Sequence, residues 1–250
     1  MLREHERLDY LTKEHLRIIQ NDAVFSFSTD ALLLAHYTTV RKNDKVMDLC
    51  SGNGVIPLLL SAKSTQSIEG IEIQSQLVDM AERSYHYNQL SDRLMMHHMD
   101  LREVATHFKP AQYSLITCNP PYFKMNQQHQ HHKEAHKIAR HEVMCTLDDC
   151  CKAARHLLKE GGRFIMVHRA DRLMDVLTTM RQYRLEPKRL TMIYSKPGKP
   201  AQMMIVESRR GGQQGLEITP PFYIYTATDE YTEEMRAIYY GQTLCVYREM

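Results

Sequence analysis

The residues best placed to do chemistry are Asn119-Pro120-Pro121-Tyr122, directly after the apolar run Tyr113–Cys118. Two consecutive prolines hold a chain extended and keep it out of a helix. They leave the Pro120 carbonyl unpaired and pointing outwards, beside the side-chain amide oxygen of Asn119. Two such acceptors can grip both hydrogens of a planar amino group. On adenine that nitrogen is a poor nucleophile, because its lone pair is delocalised into the ring. Acceptors that favour the pyramidal nitrogen assist its attack on a methyl group, and they act mainly in the transition state. Tyr122 offers a face on which a base can stack, a contact worth roughly 1–3 kcal/mol.

A methyl donor needs its own cradle, and Val46-Met47-Asp48-Leu49-Cys50-Ser51-Gly52-Asn53-Gly54 has the composition of one. An apolar strand runs into glycines two apart, where the backbone can turn sharply and approach a ligand without a Cβ in the way. The dinucleotide fingerprint would need a third glycine where Pro57 stands, and here an acidic residue precedes the loop. That departure favours S-adenosyl-L-methionine, with Asp48 ordering the turn and the ligand's ammonium side. Glu72, ending the next strand, can take both ribose hydroxyls in a bidentate hydrogen bond. Glu69 competes for that role but lies mid-strand, where its side chain would point away from the crevice. Asp100 and Leu101, after the third strand, stand where an adenine amino group would reach; Asp100 reads equally well as the N-cap of the following turn.

These residues need a scaffold that brings strand ends together. Strands are expected at Lys45–Cys50, Ser67–Ile73, Leu94–Met99, Tyr113–Cys118, Arg163–His168, Leu190–Tyr194 and Gln202–Glu207. Helices are expected at Val55–Ala62, Gln74–Asn88, Leu147–Leu158 and Asp171–Tyr183. The alternation implies an α/β fold with a mostly parallel, seven-stranded sheet. The last two strands are joined by Ser195-Lys196-Pro197-Gly198-Lys199-Pro200, too short for a helical crossover, so they should form an antiparallel terminal hairpin. Ser28-Thr29-Asp30 caps a Leu-rich helix. A single domain over 1–250 is expected, with 1–40 as a helical extension packing near the cofactor cleft and 41–250 as the catalytic core.

Composition narrows the setting. With 32 basic and 30 acidic residues the 250-residue chain carries +2, far from a sequence-independent nucleic-acid coat. The basic residues Arg181, Arg184, Lys188, Arg189, Lys196, Lys199, Arg209 and Arg210 nevertheless cluster in sequence, against only Glu186 and Glu207, as suits a polyanion bound on one face. No run approaches the ~18 apolar residues of a membrane span and the N-terminus is no secretory signal, so a cytoplasmic protein is expected. The six cysteines contain no C-x-x-C pair, which speaks against a zinc ribbon, and they read as free thiols. His132 and His136 have i, i+4 spacing, but no Asp or Cys is placed to complete a site, and methyl transfer needs no metal. The polar stretch Lys124–His141 reads as a lip beside the target pocket. Tyr122 and Phe123 would meet the substrate there, and Lys124, Lys133, Lys137 and Arg140 its phosphates.

Taken together, the motifs resemble the class I S-adenosylmethionine-dependent methyltransferases of the N-P-P-Y type, and within them the bacterial tRNA1(Val) adenine-N6 methyltransferases. Phe25-Ser26-Phe27-Ser28-Thr29-Asp30-Ala31, Gly161-Gly162-Arg163-Phe164 and Pro220-Pro221 share in the resemblance, which spans nearly the whole chain. It implies a Rossmann-like fold. Asp48, Gly52, Gly54, Glu72 and Asp100 would hold S-adenosyl-L-methionine, and Asn119, Pro120 and Tyr122 the target amine of a tRNA adenine beside the anticodon. The family's first loop commonly has glycine where Ser51 stands and a third small residue at Pro57. The motif specifies an amino group rather than its bearer. Other exocyclic amines (guanine N2 of ribosomal RNA, adenine N6 of DNA) stay open. A protein glutamine amide fits less well, since that family usually carries an N-terminal helical domain for which too little chain precedes Lys45. An RNA-binding assembly factor retaining the fold is the non-enzyme alternative. No obligate protein partner is evident.

Overall fold

The computed structural model describes residues 2–11, 15–22, 24, 27–121 and 145–240. From the N-terminus run β1 (Glu6–Leu11), β2 (Leu16–Asn21), α1 (Thr29–Tyr37), β3 (Val46–Leu49), α2 (Val55–Ser61), β4 (Ile68–Glu72), α3 (Ser75–Tyr87) and β5 (Leu94–His98). A 3-10 turn, Leu101–Glu103, leads into α4 (Val104–His107) and β6 (Tyr113–Cys118). Then follow α5 (Leu147–Leu157), β7 (Leu158–Arg169), α6 (Leu173–Gln182), β8 (Leu185–Tyr194) and β9 (Ala201–Arg210). The two-residue strands β10 (Glu217–Ile218) and β11 (Phe222–Tyr223) and the helix α7 (Glu233–Tyr240) complete the described chain.

The expected helical extension over 1–40 is corrected: an antiparallel hairpin, β1 with β2, precedes α1, the one helix among the described residues of that stretch. Arg17 and Arg7 interrupt the apolar residues, so neither strand reads as one until its partner is known. Ile18 and Ile19 are buried on folding, Ile19 against Leu77 and Met80 of α3. The Ile19 amide donates to Ser84 Oγ at 2.9 Å. Asn88 clasps the Arg17 backbone, accepting from its N–H at 2.9 Å and donating to its carbonyl at 2.6 Å. Sheet edges left unpaired attract other chains; here the backbone of β2 is tied to α3 instead.

All seven expected strands lie in one sheet, in the order β10-β8-β9-β7-β6-β3-β4-β5, with β11 also paired to β8. Strands β5, β4, β3, β6 and β7 are mutually parallel, and β9 runs antiparallel to both β7 and β8, the terminal hairpin anticipated from its short loop. The two extra strands β10 and β11 add to the edge beside β8. Their two-residue pairings carry no hydrophobic period that a sequence could display. Side chains alternate between two cores. Val46, Leu115, Ile165 and Val167 face α1, α2, α3 and α7, while Met47, Leu49, Ile116, Phe164 and Met166 face α4, α5 and α6.

The chain order reverses on either side of β3, whose neighbours are β4 and β6. Open α/β sheets bind ligands just beyond the carboxyl ends of the strands at such a point. No helix among the described residues is long and apolar enough to cross a membrane.

Candidate active site

The loop after β3 is shaped by its backbone. Gly52 and Gly54 have φ of 57° and 77°, the left-handed region glycine enters without penalty. Gly54 also has no room for a side chain: a Cβ there would stand 2.8 Å from Ala81 Cβ and closer still to the Tyr85 hydroxyl. Cys50 is left-handed too, with φ 56°. The glycine-favouring position that the resemblance assigned to Ser51 therefore falls on Cys50. Pro57 sits in the first turn of α2, where a helix leaves its N–H groups unpaired, so the ring there sacrifices no intrahelical bond.

Glu72 holds this loop from the neighbouring strand. Its Oε2 accepts from Gly52 N at 2.9 Å and its Oε1 from Gln74 N at 3.0 Å, and the side chain is buried at the end of β4. Oε2 keeps a second lone-pair direction for a ligand hydroxyl, whereas Oε1 also accepts from Gln74 Nε2 at 3.5 Å. Glu69, the competitor, is committed elsewhere: it accepts from His97 at 2.8 Å and lies 3.4 Å from Lys45 Nζ. The expectation that it would turn away from the crevice holds.

Asp48 is wholly buried, and Thr117 Oγ1 donates to its Oδ1 at 2.6 Å, tying β3 to β6. Burial pushes its carboxyl up to about 7 against the pull of the nearby Thr117 and Ser51 hydroxyls, and the charge of Glu72 adds to the rise. Its other oxygen, Oδ2, has no hydrogen-bond partner, nor have the Ser51 hydroxyl beside it and Oδ1 of buried Asn53. Buried polar atoms are normally satisfied. Two acceptors orphaned around a glycine cradle fit a ligand that brings its own donors, as an α-ammonium group does.

Asn53 itself was not anticipated. Its Nδ2 donates to the Ile19 carbonyl at 3.0 Å, so the N-terminal hairpin clamps the loop from outside. The signal for it, a lone Asn between two glycines, acquires meaning only when β2 is in place. Asp100 is the N-cap of the 3-10 turn, accepting from Arg102 N at 2.9 Å and from Arg102 Nε at 2.7 Å. The Arg102 guanidinium holds its carboxyl below the usual carboxylate range. Leu101 is buried in the core beneath that turn.

Asn119 and Pro120 lie immediately beyond the carboxyl end of β6, whose Cys118 is level with Leu49 of β3. Asn119 is half-buried, Pro120 buried and Pro121 exposed. The pair expected to hold a target amine is thus brought beside the loop of Asp48 and Gly52. Tyr122, Phe123, Lys124, Lys133, Lys137 and Arg140, with the histidines between 129 and 141, lie outside the described residues.

The basic stretch from Arg181 to Arg210 is divided by the fold. Arg209 pairs opposite Arg163, and Arg210 opposite Leu185, at the amino-terminal end of the parallel strands and far from the crevice. The 195–200 turn runs the other way: Cys118 is level with Met166, Val206 and Leu190, and the turn begins five residues beyond Leu190. At about 3.3 Å per residue that projects Lys196 and Lys199 well past the strand ends, on the crevice side. Of these, Lys196 is paired with Asp229 at 2.8 Å. A run contiguous in sequence is therefore not one face.

A family profile described as "Methyltransferase small domain" matches residues 15–184. Curated relatives named tRNA1(Val) (adenine(37)-N6)-methyltransferase include one from Parabacteroides distasonis, 23% identical over 79% of this chain and 82% of the relative. Others come from Aliivibrio salmonicida, 25% identical over 80% of each chain, and Yersinia pseudotuberculosis, 28% identical over 74% and 73%. Among solved structures, a predicted O-methyltransferase from Agrobacterium tumefaciens superposes with a TM-score of 0.69 at 18% identity, covering 86% of this chain and 97% of its own. Geranyl diphosphate C-methyltransferase from Streptomyces coelicolor, in complex with Mg2+, geranyl diphosphate and S-adenosyl-L-homocysteine, gives 0.53 at 12% identity over 72% and 78%. At these identities the two structures speak for the fold.

Proposed function

This chain belongs to the methyltransferase small domain family, and on that premise we propose that it transfers a methyl group from S-adenosyl-L-methionine to N6 of an adenine in tRNA, the adenine beside the anticodon of a tRNA-Val. The observation that carries the reading is the placement of Asn119 and Pro120 at the end of β6, one strand from the orphaned Asp48 carboxylate oxygen. The names of the curated relatives supply the substrate.

Bound S-adenosyl-L-methionine supplies an electrophilic methyl group on a sulfonium. Asp48 Oδ2 and the loop at Gly52 and Gly54 receive the amino-acid end, Glu72 the ribose hydroxyls, and Asp100 with Leu101 the adenine edge. The Asn119 amide oxygen and the Pro120 carbonyl accept from the target amine and favour its pyramidal form. Tyr122 stacks on the base, with Phe123 and the cations Lys124, Lys133, Lys137 and Arg140 meeting the flanking nucleotides. The target nitrogen would take the methyl group, the pair of the broken methyl–sulfur bond staying with sulfur, and its surplus proton would leave to solvent. No general base is needed for the attack.

The test is incubation with methyl-labelled cofactor and, separately, total tRNA, ribosomal RNA, DNA and protein, followed by nucleoside and amino-acid analysis. Label in N6-methyladenosine of tRNA is expected. Label confined to guanine N2, DNA adenine or glutamine amide would overturn the substrate while sparing the amine chemistry, and no transfer at all would revive the assembly factor.

A further inference from the structure

Four cysteines that are scattered in sequence converge beneath the crevice, on the sheet face opposite Asp48. The sulfurs of Cys50, Cys118 and Cys150 all lie within 4.8 Å of one another. Cys145 Sγ joins them at 3.4 Å from Cys50 Sγ and 3.9 Å from Cys150 Sγ. They come from the loop after β3, the last residue of β6, the residue before the α5 cap, and the first turn and a half of α5. We propose that these four sulfurs form a tetrathiolate site for one thiophilic divalent cation, of which zinc is the type.

Three observations support it. Four sulfurs at about 2.3 Å from a tetrahedral zinc stand about 3.8 Å apart; the two separations from Cys145 to Cys50 and Cys150, 3.4 and 3.9 Å, straddle that value, and Cys50, Cys118 and Cys150 lie within 4.8 Å of one another. A tetrahedral all-sulfur set selects zinc-like cations over the hard, oxygen-seeking ones.

The second observation is the backbone at Cys50. Its φ of 56° is one that glycine adopts freely and a side chain resists, so a thiol there is retained against local strain. Strain of this kind persists where the surroundings or a function require the residue. Packing alone does not require it, since glycine would relieve the strain.

The third is charge. Four thiolates around a divalent cation carry a net negative charge that must be offset when buried. Cys145 immediately precedes the N-terminus of α5, where a capping box of Thr146 and Asp149 fixes the first turn and its N–H groups bear partial positive charge. The Arg102 guanidinium lies within electrostatic reach of Cys145. Asp149, whose Oδ2 accepts from Thr146 N at 2.9 Å, keeps its charge and opposes both. Loading a cation would release the thiol protons to solvent, as metal binding to protonated thiols does.

Such a cation would tie three pieces of the site together: the cofactor loop through Cys50, the residue before Asn119 through Cys118, and the start of α5. It would be structural, positioning Asn119 without touching a substrate. The spacing rules that exclude a zinc ribbon do not see it, because its ligands adjoin only in three dimensions.

The experiment is metal quantification on the full chain purified without oxygen or added metal, then titration of the stripped protein with cobalt(II) and zinc(II). One equivalent of bound zinc is expected, with cobalt giving thiolate-to-metal charge-transfer bands and tetrahedral visible bands. Zinc should raise the melting temperature of the parent. Cys50→Gly suits the left-handed backbone and so should fold, yet it should bind cobalt at least tenfold more weakly and lose the zinc-dependent rise. Cys151→Ala, whose sulfur is outside the group, should keep both. Absence of cobalt–thiolate bands, an unchanged affinity in Cys50→Gly, or a Cys50–Cys145 disulfide in anaerobically purified protein would overturn the proposal. None of these readouts depends on methyl transfer.

Discussion

On the proposed reading, Asn119 and Asp48 each serve one stage of the reaction. Asn119→Ala removes an acceptor for the amine and leaves the Gly52 loop untouched. If the acceptors act as the nitrogen pyramidalises, kcat falls much further than tRNA affinity. Removal of a comparable preorganised polar group costs about 10²–10³ in kcat, and a loss of that order is expected in single-turnover methylation of an anticodon stem-loop. A wild-type rate would sink the mechanism. Asp48 makes a pH prediction. Its carboxyl sits at about 7 when folded against 3.8 when free, so between those values the folded chain holds a proton the unfolded chain has released. The stability it contributes is full below the free value and is lost as pH rises through about 7. A ligand ammonium favours the carboxylate, so cofactor affinity should strengthen as pH climbs from about 6 to about 7.7, where an α-amino group begins to lose its own proton. In Asp48→Asn, calorimetry should find weak affinity with that rise abolished. A flat profile in the parent would remove Asp48 from the cofactor site.

At the scale of elements, Glu72 joins β4 to the loop after β3 and to the start of α3. The sequence suggests a ribose ligand. The structure adds that its two oxygens already hold Gly52 N and Gln74 N. Glu72→Ala should therefore act twice. Cofactor affinity should fall by about 1.5–3 kcal/mol, the value of hydrogen bonds to a charged group, and the buried Gly52 N–H would be left unpaired while that of exposed Gln74 turns to water. Glu72→Gln keeps one acceptor oxygen and should retain more stability than affinity. Thermal melts with and without cofactor separate the two effects: equal stability of the alanine variant and the parent without cofactor would show that the carboxylate is not holding the loop. The elements themselves were largely legible. α3 spans Ser75–Tyr87 where Gln74–Asn88 was expected, and α5 spans Leu147–Leu157 where Leu147–Leu158 was expected. Both have a clear apolar stripe. β7 starts at Leu158 rather than Arg163, because Gly161 (φ 74°) and Gly162 are carried inside the strand as an irregularity rather than forming a turn before it.

The whole molecule decides which charges face a polyanion. The sheet sends Arg209 and Arg210 to the amino-terminal end and the 195–200 turn to the crevice end. Binding of tRNA should weaken steeply with salt, as phosphate contacts release counterions. Lys199→Glu should lower tRNA affinity and flatten the salt slope, while Arg209→Glu, of equal charge change, should alter neither. Filter binding across ionic strengths measures both. Equal losses in the two variants would show that net charge, and not the face, governs binding.

What the sequence by itself determined was local: strands and helices with a clean hydrophobic period, the glycine turn after β3, the stiff Asn119-Pro120-Pro121 corner, and the short loop that forces β8 and β9 antiparallel. Each follows from torsional limits and from periodicity within a few residues. What only the tertiary structure decided depends on partners distant in the chain. β1 and β2 form a hairpin because Ser84, Asn88 and the apolar face of α3 complete it. Asn53 becomes part of the site because Ile19 arrives above it, and Glu69 leaves it because His97 and Lys45 claim its carboxylate. Cys50 and Cys145 meet at 3.4 Å although 95 positions separate them. Burial and pairing are properties of where strands end in space, and spacing along a chain carries no record of that until the sheet has formed.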